Sequence, residues 1–448
     1  MDSKFDIYKR NNLLKPYQEV QFDGHKIDVI ISMELTAPDG TSRFVPLSRI
    51  WILTIIDVST RAIIGYHLCL NREYSSEDVL QTIKNAIIPQ ERPELTIPKL
   101  EYPADGGLPS MLIPETQWAL WDELFYDNAK ANLSYIVRDR LKRIAGCRVQ
   151  AGPIKSPLKR AIIERFFGKL EKVGYHRLPS TTGSNVSDPR RKNSESDAIK
   201  FEITFEELEE VTAAVIAQYN SSFHEGLYFA SPLESMKQKI NKGAMIRTMD
   251  ENQREDVNFF SMETFRTIKG NITKGRRPHI NFVHGKYTNE LLLRSPGLIG
   301  KKLILTIDIE DIRFLDAYLE DGSSIGKLRV SGQWGLTKHS LKLRKEIYKL
   351  ATKKLIQFTY QDDPIIVYQE YLKEKAQTNK AARNKLKSIQ NSLLEEVETE
   401  IKQKDLSKNI ASNKIENPSE NTQQKLIEDF LNKKSNKTTK KIRRTITY

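Results

Sequence analysis

The sequence predicts an α/β fold, in which a mixed sheet carries helices on its faces, followed by a small antiparallel β-barrel. The first part of this prediction comes from the order of the apolar and amphipathic stretches, which reads β-β-β-α-β-α-β-α. The second comes from residues 279–333, where short alternating runs are separated by glycines and Asp-Gly turns. From residue 341 onward, a highly charged pattern predicts a tail of helical and disordered segments.

The first elements of the α/β part are strands. An apolar run over residues 25–35 (HKIDVIISMEL) predicts the first strand, and two more runs occupy 49–57 and 61–70. Because only a short DVST segment separates the last two runs, they are expected to form a hairpin of antiparallel neighbours. Ser75 or Ser76 is then expected to cap a helix.

A proline-rich stretch, residues 89–116, predicts an insertion or long loop. After it, the pattern predicts a short strand into Asp127, a helix over 130–144, a strand in CRVQAG and a helix that begins near Lys155. In sheets of this kind reactive groups gather at strand ends. Asp127 is therefore a candidate site residue.

The composition of the remaining chain divides it into segments. The polar stretch 179–200 is expected to be mobile, and Thr204 is expected to start the next helix in a capping box with Glu207. The predicted segments are an N-terminal linker or arm at 1–20, the α/β core at 21–235, a linker at 236–257, the β-barrel at 258–340 and the charged tail at 341–448.

The charge of the chain favours a nucleic-acid partner. The 448 residues carry a formal net charge of +13, and the sequence pI is near 9.3, which favours a polyanion and nucleic acid before membrane. The only cysteines, Cys69 and Cys147, cannot form a disulfide framework or a Cys-based zinc site. Without an apolar signal region or a bilayer-spanning run, the protein is expected to be cytoplasmic and nucleoid-associated, with no membrane partner.

Three carboxylates, Asp28, Asp127 and Glu164, stand where a strand ends or a helix turns inward, and they are candidates for holding metal ions. Asp28 lies in an apolar run, where a buried carboxylate needs a neutralising partner; the alternative is an edge-strand Asp that faces water. Asp127 precedes Asn128, and Asp-Asn is also a common turn pair.

Glu164 borders the apolar stripe of a helix predicted over 158–173. The alternative role for Glu164 is a surface ion pair with Arg160, one turn earlier. A carboxylate among many cations suits a site that faces a phosphate backbone. The other cations of this segment are Lys155, Lys159, Arg165, Lys169 and Lys172.

Five segments, taken in order, resemble the catalytic core shared by retroviral-type integrases and DDE transposases, with the best fit to the bacteriophage Mu and TnsB/TniA types. They are IDVIISMEL, RIWILTIIDVSTRAIIGYHL, LFYDNAKANLS, AIIERFFGKLE and YNSSFHEGLYFASPLE. The resemblance covers roughly residues 20–340. It implies a ribonuclease-H-like core with a mixed five-stranded sheet and helices on both faces, followed by a Mu-type β-barrel.

The resemblance also implies a chemistry. The family's Asp-Asp-Glu triad maps by position onto Asp28, Asp127 and Glu164, which would hold two Mg²⁺ (or Mn²⁺) ions. Asp57, in IIDVSTRAIIG, is interpreted as structural, with assistance to the site as the alternative. The residues expected to contact DNA are Asn128, Lys155, Lys159, Arg160, Lys169, Lys172, Lys274, Arg276 and Arg277. For the segment around Arg277, the alternative is a solvated loop.

The chain departs from these families in three respects. It begins shortly before Asp28, so the helix-turn-helix domains that precede the core in Mu-type and TnsB-type proteins are expected to be missing. Its two distant cysteines exclude the His-His-Cys-Cys zinc domain of retroviral integrases. Gly168 and Glu171 stand where those integrases carry DNA-gripping lysines, so Lys169 and Lys172 are the expected substitutes.

The predicted function is that of a DDE-type transposase subunit, which cleaves the 3′ ends of a transposon and transfers them into target DNA. The resemblance implies a homo-oligomer on DNA and, as further partners, an AAA+ ATPase target selector and a TnsA-like endonuclease. The tail is an expected contact for the ATPase or, alternatively, for DNA. The alternative functions are a non-catalytic, truncated DNA-binding derivative that modulates or joins a transposition complex, and a ribonuclease-H-like nuclease or resolvase.

Overall fold

The computed structural model describes residues 13–36, 42–70, 73–126, 135–151, 157–183, 187–254 and 258–391. These residues form two compact units. The first contains the described residues up to Glu263 together with Lys375–Lys385, and the second contains Thr264–Glu374 together with those from Leu386 onward.

A five-stranded mixed sheet is the centre of the first unit. The described strands of this unit are β1 (Glu19–Lys26), β2 (Ile31–Thr36), β3 (Ser42–Leu47), β4 (Ile50–Asp57), β5 (Ile63–Leu70), β6 (Ala119–Leu120), β7 (Glu123–Tyr126), β8 (Arg148–Ala151) and β9 (Arg247–Thr248). The central sheet has the order β5-β4-β1-β7-β8. β4 is antiparallel to β1 and β5, whereas β7 is parallel to β1 and β8. This strand order confirms the predicted ribonuclease-H-like core.

The described helices of the first unit that precede Glu263 include the four that the sequence predicts and four others that it does not. They are α1 (Ser76–Ile87), α2 (Pro109–Leu112), α3 (Tyr135–Ile144), α4 (Pro157–Val173), α5 (Ser194–Lys200), α6 (Phe205–Ser221), α7 (Pro232–Asn241) and α8 (Glu251–Arg254). Ser75 and Asp78 cap α1 reciprocally, each side chain accepting from the other's amide. Thr204 and Glu207 do the same at the start of α6, which confirms the predicted capping box.

The sheet is covered closely on its faces. Every residue of β4 is buried, as expected for a strand covered on both sides. α1 approaches β5 so closely that a Cβ placed on Gly65 would lie 2.5 Å from the Cβ of Ala86. The hairpin predicted between 49–57 and 61–70 is confirmed, since β4 and β5 are antiparallel neighbours.

The prediction of one continuous strand over 25–35 is wrong. The chain leaves the central sheet after Lys26, bends at Asp28 and enters β2, which pairs only with β3 in a separate two-stranded sheet. β1 begins earlier than predicted, at Glu19. Its segment EVQFDGHK alternates apolar and polar residues, and this pattern is less conspicuous than the apolar run that follows it.

Two other stretches are more ordered than their composition predicts. Part of the polar stretch 179–200, predicted to be mobile, forms α5, in which Ser194 and Ala198 are buried. The proline-rich stretch 89–116 is mostly without regular structure, as predicted. It is nevertheless anchored to α6, because Glu210 accepts hydrogen bonds from both the amide and the hydroxyl of Thr96.

A curled antiparallel sheet forms the second unit. Its described strands are β10 (Ser261–Thr267), β11 (Lys269–Asn271), β12 (Arg276–Phe282), β13 (Gly285–Thr288), β14 (Lys302–Asp308), β15 (Phe314–Leu319) and β16 (Ser324–Val330). Their order is β10-β14-β15-β16-β13-β12-β11, with β10 and β11 at the two edges. The predicted antiparallel barrel is therefore a half-barrel. One face of the strands is buried, as the alternating burial of β14 shows.

Helices follow the half-barrel. The remaining described helices are α9 (Glu290–Leu293), which lies between β13 and β14, α10 (Leu341–Thr352), α11 (Pro364–Ala376) and a further helix over 380–391. No helix among the described residues is long and apolar enough to cross a membrane. The rest of the predicted tail, 392–448, lies outside the described residues.

A buried arginine joins α10 to the half-barrel within the second unit. Arg344 is fully buried and donates to His339 Nε2, to the hydroxyl of Tyr287 and to the carbonyl of Ile312. Its guanidinium also lies 4.9 Å from the ring centroid of Trp334, a cation–π contact. Burial, with the charge of Arg344 as a second cause, lowers the pKa of His339 to about 4. His339 is therefore neutral and can accept from Arg344.

The stability of the second unit is expected to fall with acid. His339 has a folded pKa of about 4, below its unfolded value near 6.5, so the unfolded chain takes up the proton first as the pH falls. Between pH 6.5 and 4 we expect a loss of roughly 2–3 kcal/mol from this group. Hydrogen exchange of the half-barrel amides at pH 7 and pH 4.5 measures it. His339→Gln, which still accepts from Arg344 but does not titrate, is expected to lose less; an equal loss would contradict the assignment.

Candidate active site

Strands β1 and β7 are parallel neighbours in the central sheet. In the register of β1 and β7, Phe22 lies opposite Tyr126. Asp23 follows Phe22 in β1, and the sequence continues from Tyr126 to Asp127. Asp127 and its neighbour Asn128 lie outside the described residues. Asp23 is therefore the β1 residue that comes directly after the one paired with the last residue of β7.

Asp23 lies on the polar side of β1. Alternate side chains of a strand point to opposite faces, so Asp23 shares its face with His25, whereas Phe22 and Gly24 share the other. Asp23 is half-buried, and its Oδ1 accepts from the Gly24 amide at 2.8 Å. A carboxylate with this exposure remains within reach of ions from solution.

Helix α4 lies along this polar face of β1 and runs in the same direction as β1 and the bend that follows it. The His25 ring stacks on Phe167, with centroids 4.8 Å apart. Further along, Glu171 Oε1 lies 3.0 Å from His25 Nε2 and 3.2 Å from the amide nitrogen of Asp28, which donates to it. Glu164 is exposed, one turn before Phe167.

Asp28 stands in the bend between β1 and β2, not in a strand. Its carbonyl accepts from the Thr182 amide at 2.8 Å and from the Thr181 hydroxyl at 3.0 Å. These contacts fix the bend against the segment that follows α4. The predicted burial of Asp28 is partial, because its side chain is half-exposed.

The electrostatic neighbours of Asp28 come from β1, from α4 and from the segment that follows α4. Burial, followed by the nearby Glu171 carboxylate, raises the pKa of Asp28, while His25, His176 and Arg191 act in the opposite direction. The carboxylates of Asp28 and Glu171 and the ring of His176 offer ligand atoms that all lie within 4.8 Å of one another. The structure therefore brings Asp28 together with Glu171, a pairing that the sequence did not predict.

The contacts of Asp57 support the interpretation of this residue as structural. It is fully buried at the end of β4. Its Oδ1 accepts from the Tyr17 amide at 2.7 Å, and its Oδ2 accepts from the Ser59 hydroxyl and from both the amide and hydroxyl of Thr60. Because four donors surround this carboxylate, it ties the start of β1 to the β4–β5 hairpin.

The residues predicted to contact DNA fall into three groups. Lys169 and Lys172 are exposed on α4, and Lys169 lies 5.5 Å from the ring centroid of Tyr219. In the second unit, Lys274, Arg276 and Arg277 are all exposed around the turn from β11 to β12. Outside the described residues, or without a described side chain, are Asn128, Lys155, Lys159 and Arg160.

Several residues of the site were missed by the sequence analysis. Asp23 and His25 are two residues apart in β1, which is the spacing that places side chains on one face of a strand. Glu171 and His176 lie at the end of α4 and in the short 3₁₀ turn after it. The strand spacing was a usable signal, but it was hidden because the first strand was predicted to begin at residue 25.

The strand order β5-β4-β1-β7-β8 is that of a ribonuclease-H-like core. Residues 21–180 match the family model described as the TnsB C-terminal domain. This part of the chain is therefore similar in sequence to the TnsB C-terminal domain.

Comparisons with individual proteins are much weaker. The catalytic core domain of BIV integrase aligns with a TM-score of 0.28 and 11% identity, over 50% of this chain and 97% of that one. A simian T-cell lymphotropic virus intasome in complex with PP2A regulatory subunit B56 gamma aligns with a TM-score of 0.28 and 8% identity, over 73% of this chain and 80% of that one. No curated protein matches this chain.

Proposed function

We propose that the chain is a metal-dependent DNA strand transferase, the catalytic subunit of a DDE-type transposase. The observation that carries the proposal is the parallel register of β1 and β7, which brings Asp23 level with the point where the chain continues to Asp127. The match of residues 21–180 to the TnsB C-terminal domain supports the same class of activity.

The first carboxylate of the triad is proposed to be Asp23 in place of Asp28. His25 stacks on Phe167 and the Asp28 amide donates to Glu171, so residue numbers increase in the same direction along β1 and α4. Two residues back along the strand correspond to roughly 6–7 Å, and one helical turn is roughly 5 Å. Asp23 therefore approaches the level of Glu164. Glu171, the neighbour of Asp28, lies roughly 10 Å further along the helix from Glu164.

The donor set fits the metal that the family implies. Asp23, Asp127 and Glu164 offer only carboxylate oxygens, which are the ligands that Mg²⁺ prefers in proteins. When bound, such ions would activate the attacking oxygen and stabilise the leaving one. The half-burial of Asp23 and the exposure of Glu164 leave these two carboxylates accessible to solvent ions and to a DNA phosphate.

The proposed reaction is a pair of in-line displacements at phosphorus. In the first, water replaces the 3′ oxygen of the transposon end and releases a 3′-hydroxyl. In the second, that hydroxyl loses its proton, forms a new P–O bond with a target phosphodiester, and displaces the neighbouring 3′ oxygen. No covalent intermediate with the protein is required, so the protein's contribution is positioning and electrostatic stabilisation.

Exposed cations give the DNA a place to bind in each unit. Lys169 and Lys172 are exposed on α4, C-terminal to Glu164, and Lys274, Arg276 and Arg277 form a second exposed group on the half-barrel. Phosphate contacts by such residues supply affinity without sequence specificity. We propose transposon ends and target DNA as ligands, and a homo-oligomer with an ATPase target selector and an endonuclease as the assembly.

Asp127→Ala is expected to abolish strand transfer while leaving DNA binding within about twofold, because it removes a metal ligand and no cation. Joining of duplex ends to a plasmid and fluorescence anisotropy of labelled duplex DNA measure the two properties on the same preparations. Normal joining by this variant would overturn the triad. Loss of joining together with loss of binding would point to a structural role for Asp127.

A further inference from the structure

A mixed cluster of acidic and imidazole groups lies in the first unit at the end of α4. Glu171 comes from the last turns of α4, His176 from the 3₁₀ turn Tyr175–Arg177, and Asp28 from the bend between β1 and β2. Their potential ligand atoms all lie within 4.8 Å of one another. His176 Nε2 and Glu171 Oε2 are 3.5 Å apart.

Two atoms of this cluster are buried without a hydrogen bond. Glu171 Oε2 and His176 Nε2 are shielded from solvent, and neither has a hydrogen-bond partner among the described residues. Glu171 as a whole is only 6% exposed. A buried polar atom left unpaired costs about 1–3 kcal/mol, and more when charged. These two atoms face one another at ion-pair distance, 3.5 Å, with no hydrogen bond between them. A cation bound to both would satisfy the two buried atoms at once.

The spacing of these atoms fits a shared cation. Two ligands that each lie about 2.0–2.1 Å from a tetrahedral ion are roughly 3.4 Å apart, close to the 3.5 Å between His176 Nε2 and Glu171 Oε2. Asp28 supplies a third donor. The other oxygen of Glu171 is held by His25 Nε2 and by the Asp28 amide, the kind of outer hydrogen bonding that orients a ligating carboxylate.

We infer that Asp28, Glu171 and His176 form a binding site for Zn²⁺, separate from the carboxylates proposed for catalysis. The imidazole nitrogen favours a borderline transition metal over Mg²⁺, which takes oxygen ligands. Three protein ligands leave a fourth position for water. This inference stands on the geometry of the cluster alone and does not depend on the proposed strand-transfer activity.

The ion would join the end of α4 to the bend after β1. Glu171 and His176 flank the point where α4 ends, and the Asp28 carbonyl already bonds to Thr181 and Thr182 in the following segment. A metal across this junction would restrain α4 relative to β1. Because α4 also carries Glu164, the zinc site is a positioning device for that helix.

Metal analysis of the full chain tests the inference. After incubation with Zn²⁺ and gel filtration, we expect about one zinc ion per chain by mass spectrometry. Glu171→Gln and His176→Asn are expected to bind Zn²⁺ at least tenfold more weakly in a chelator competition. Three control variants are expected to bind Zn²⁺ as the wild type does. Cys147→Ser controls for thiol binding, and His67→Asn controls for another partly buried histidine. Glu164→Gln separates this site from the proposed catalytic one.

A second measurement covers the case in which a variant does not fold. Co²⁺ in place of Zn²⁺ is expected to give visible absorption bands in the wild-type chain, and these bands should disappear when excess Zn²⁺ is added. Zn²⁺ should also raise the unfolding temperature of the wild type. Absence of retained zinc in the wild type overturns the inference, as does wild-type affinity in a folded Glu171→Gln variant. Loss of zinc in Glu164→Gln would show that there is one shared metal site.

Discussion

Asp23→Asn is expected to reduce strand transfer by about a thousandfold or more, the effect of losing several kcal/mol of metal-dependent transition-state stabilisation. Asparagine keeps the size of the side chain and can still accept from the Gly24 amide, the hydrogen bond seen at 2.8 Å. The fold of β1 should therefore survive. Joining of a labelled duplex to a plasmid measures the loss, and hydrogen exchange of the central sheet confirms that the variant is folded.

Asp28→Asn is the matched comparison. The Asp28 carboxylate lies beside Glu171 and His176 at the end of α4, so its substitution is expected to act only through the position of that helix. We expect its joining activity to stay within about tenfold of wild type, since misplacement costs less than the loss of a metal ligand. If Asp28→Asn were inactive and Asp23→Asn active, Asp28 and not Asp23 would be the first carboxylate of the triad.

Asp57→Ala is expected to lower the free energy of unfolding of the first unit by about 3–5 kcal/mol, because it removes a buried carboxylate and leaves its donors unpaired. Those donors are the Tyr17 and Thr60 amides and the hydroxyls of Ser59 and Thr60. Denaturant unfolding of the full chain measures the loss. Because Asp57 fixes the start of β1, activity should be lost together with stability.

An exposed aspartate provides the control for Asp57. Asp105 lies on the surface of the proline-rich stretch, and Asp105→Ala should change the stability by no more than about 0.5 kcal/mol. If Asp57→Ala kept full stability and lost only strand transfer, then Asp57 would assist the site and the structural interpretation of IIDVSTRAIIG would be wrong.

Most of the core fold could be predicted from the sequence, because its strongest signals are local. β4 and β5 are apolar runs joined by a short linker. α1 and α6 each follow a Ser or Thr whose side chain accepts a hydrogen bond from an amide in the first turn of the helix. The half-barrel was also predictable, since one face of its strands is buried and the other exposed. These features need no knowledge of contacts distant in sequence.

The candidate site was harder to predict, because it depends on which strand lies beside which. HKIDVIISMEL is more apolar than EVQFDGHK, so hydrophobicity favoured Asp28 over Asp23. Only the register of β1 with β7, a pairing between residues about a hundred positions apart, shows that Asp23 is level with the end of β7. The cluster of Glu171 with His25 and Asp28 likewise arises from the packing of α4 on β1.

The most direct test of the central claim is a strand-transfer assay with the wild-type chain. Duplex oligonucleotides of mixed sequence with exposed 3′-hydroxyls are incubated with supercoiled plasmid, with Mg²⁺ or with EDTA. We expect covalent joining of the oligonucleotide 3′ ends to plasmid 5′ phosphates in Mg²⁺ alone. Binding of both DNAs without any joined product in Mg²⁺ or Mn²⁺ would contradict the account and identify the chain as a non-catalytic DNA-binding protein.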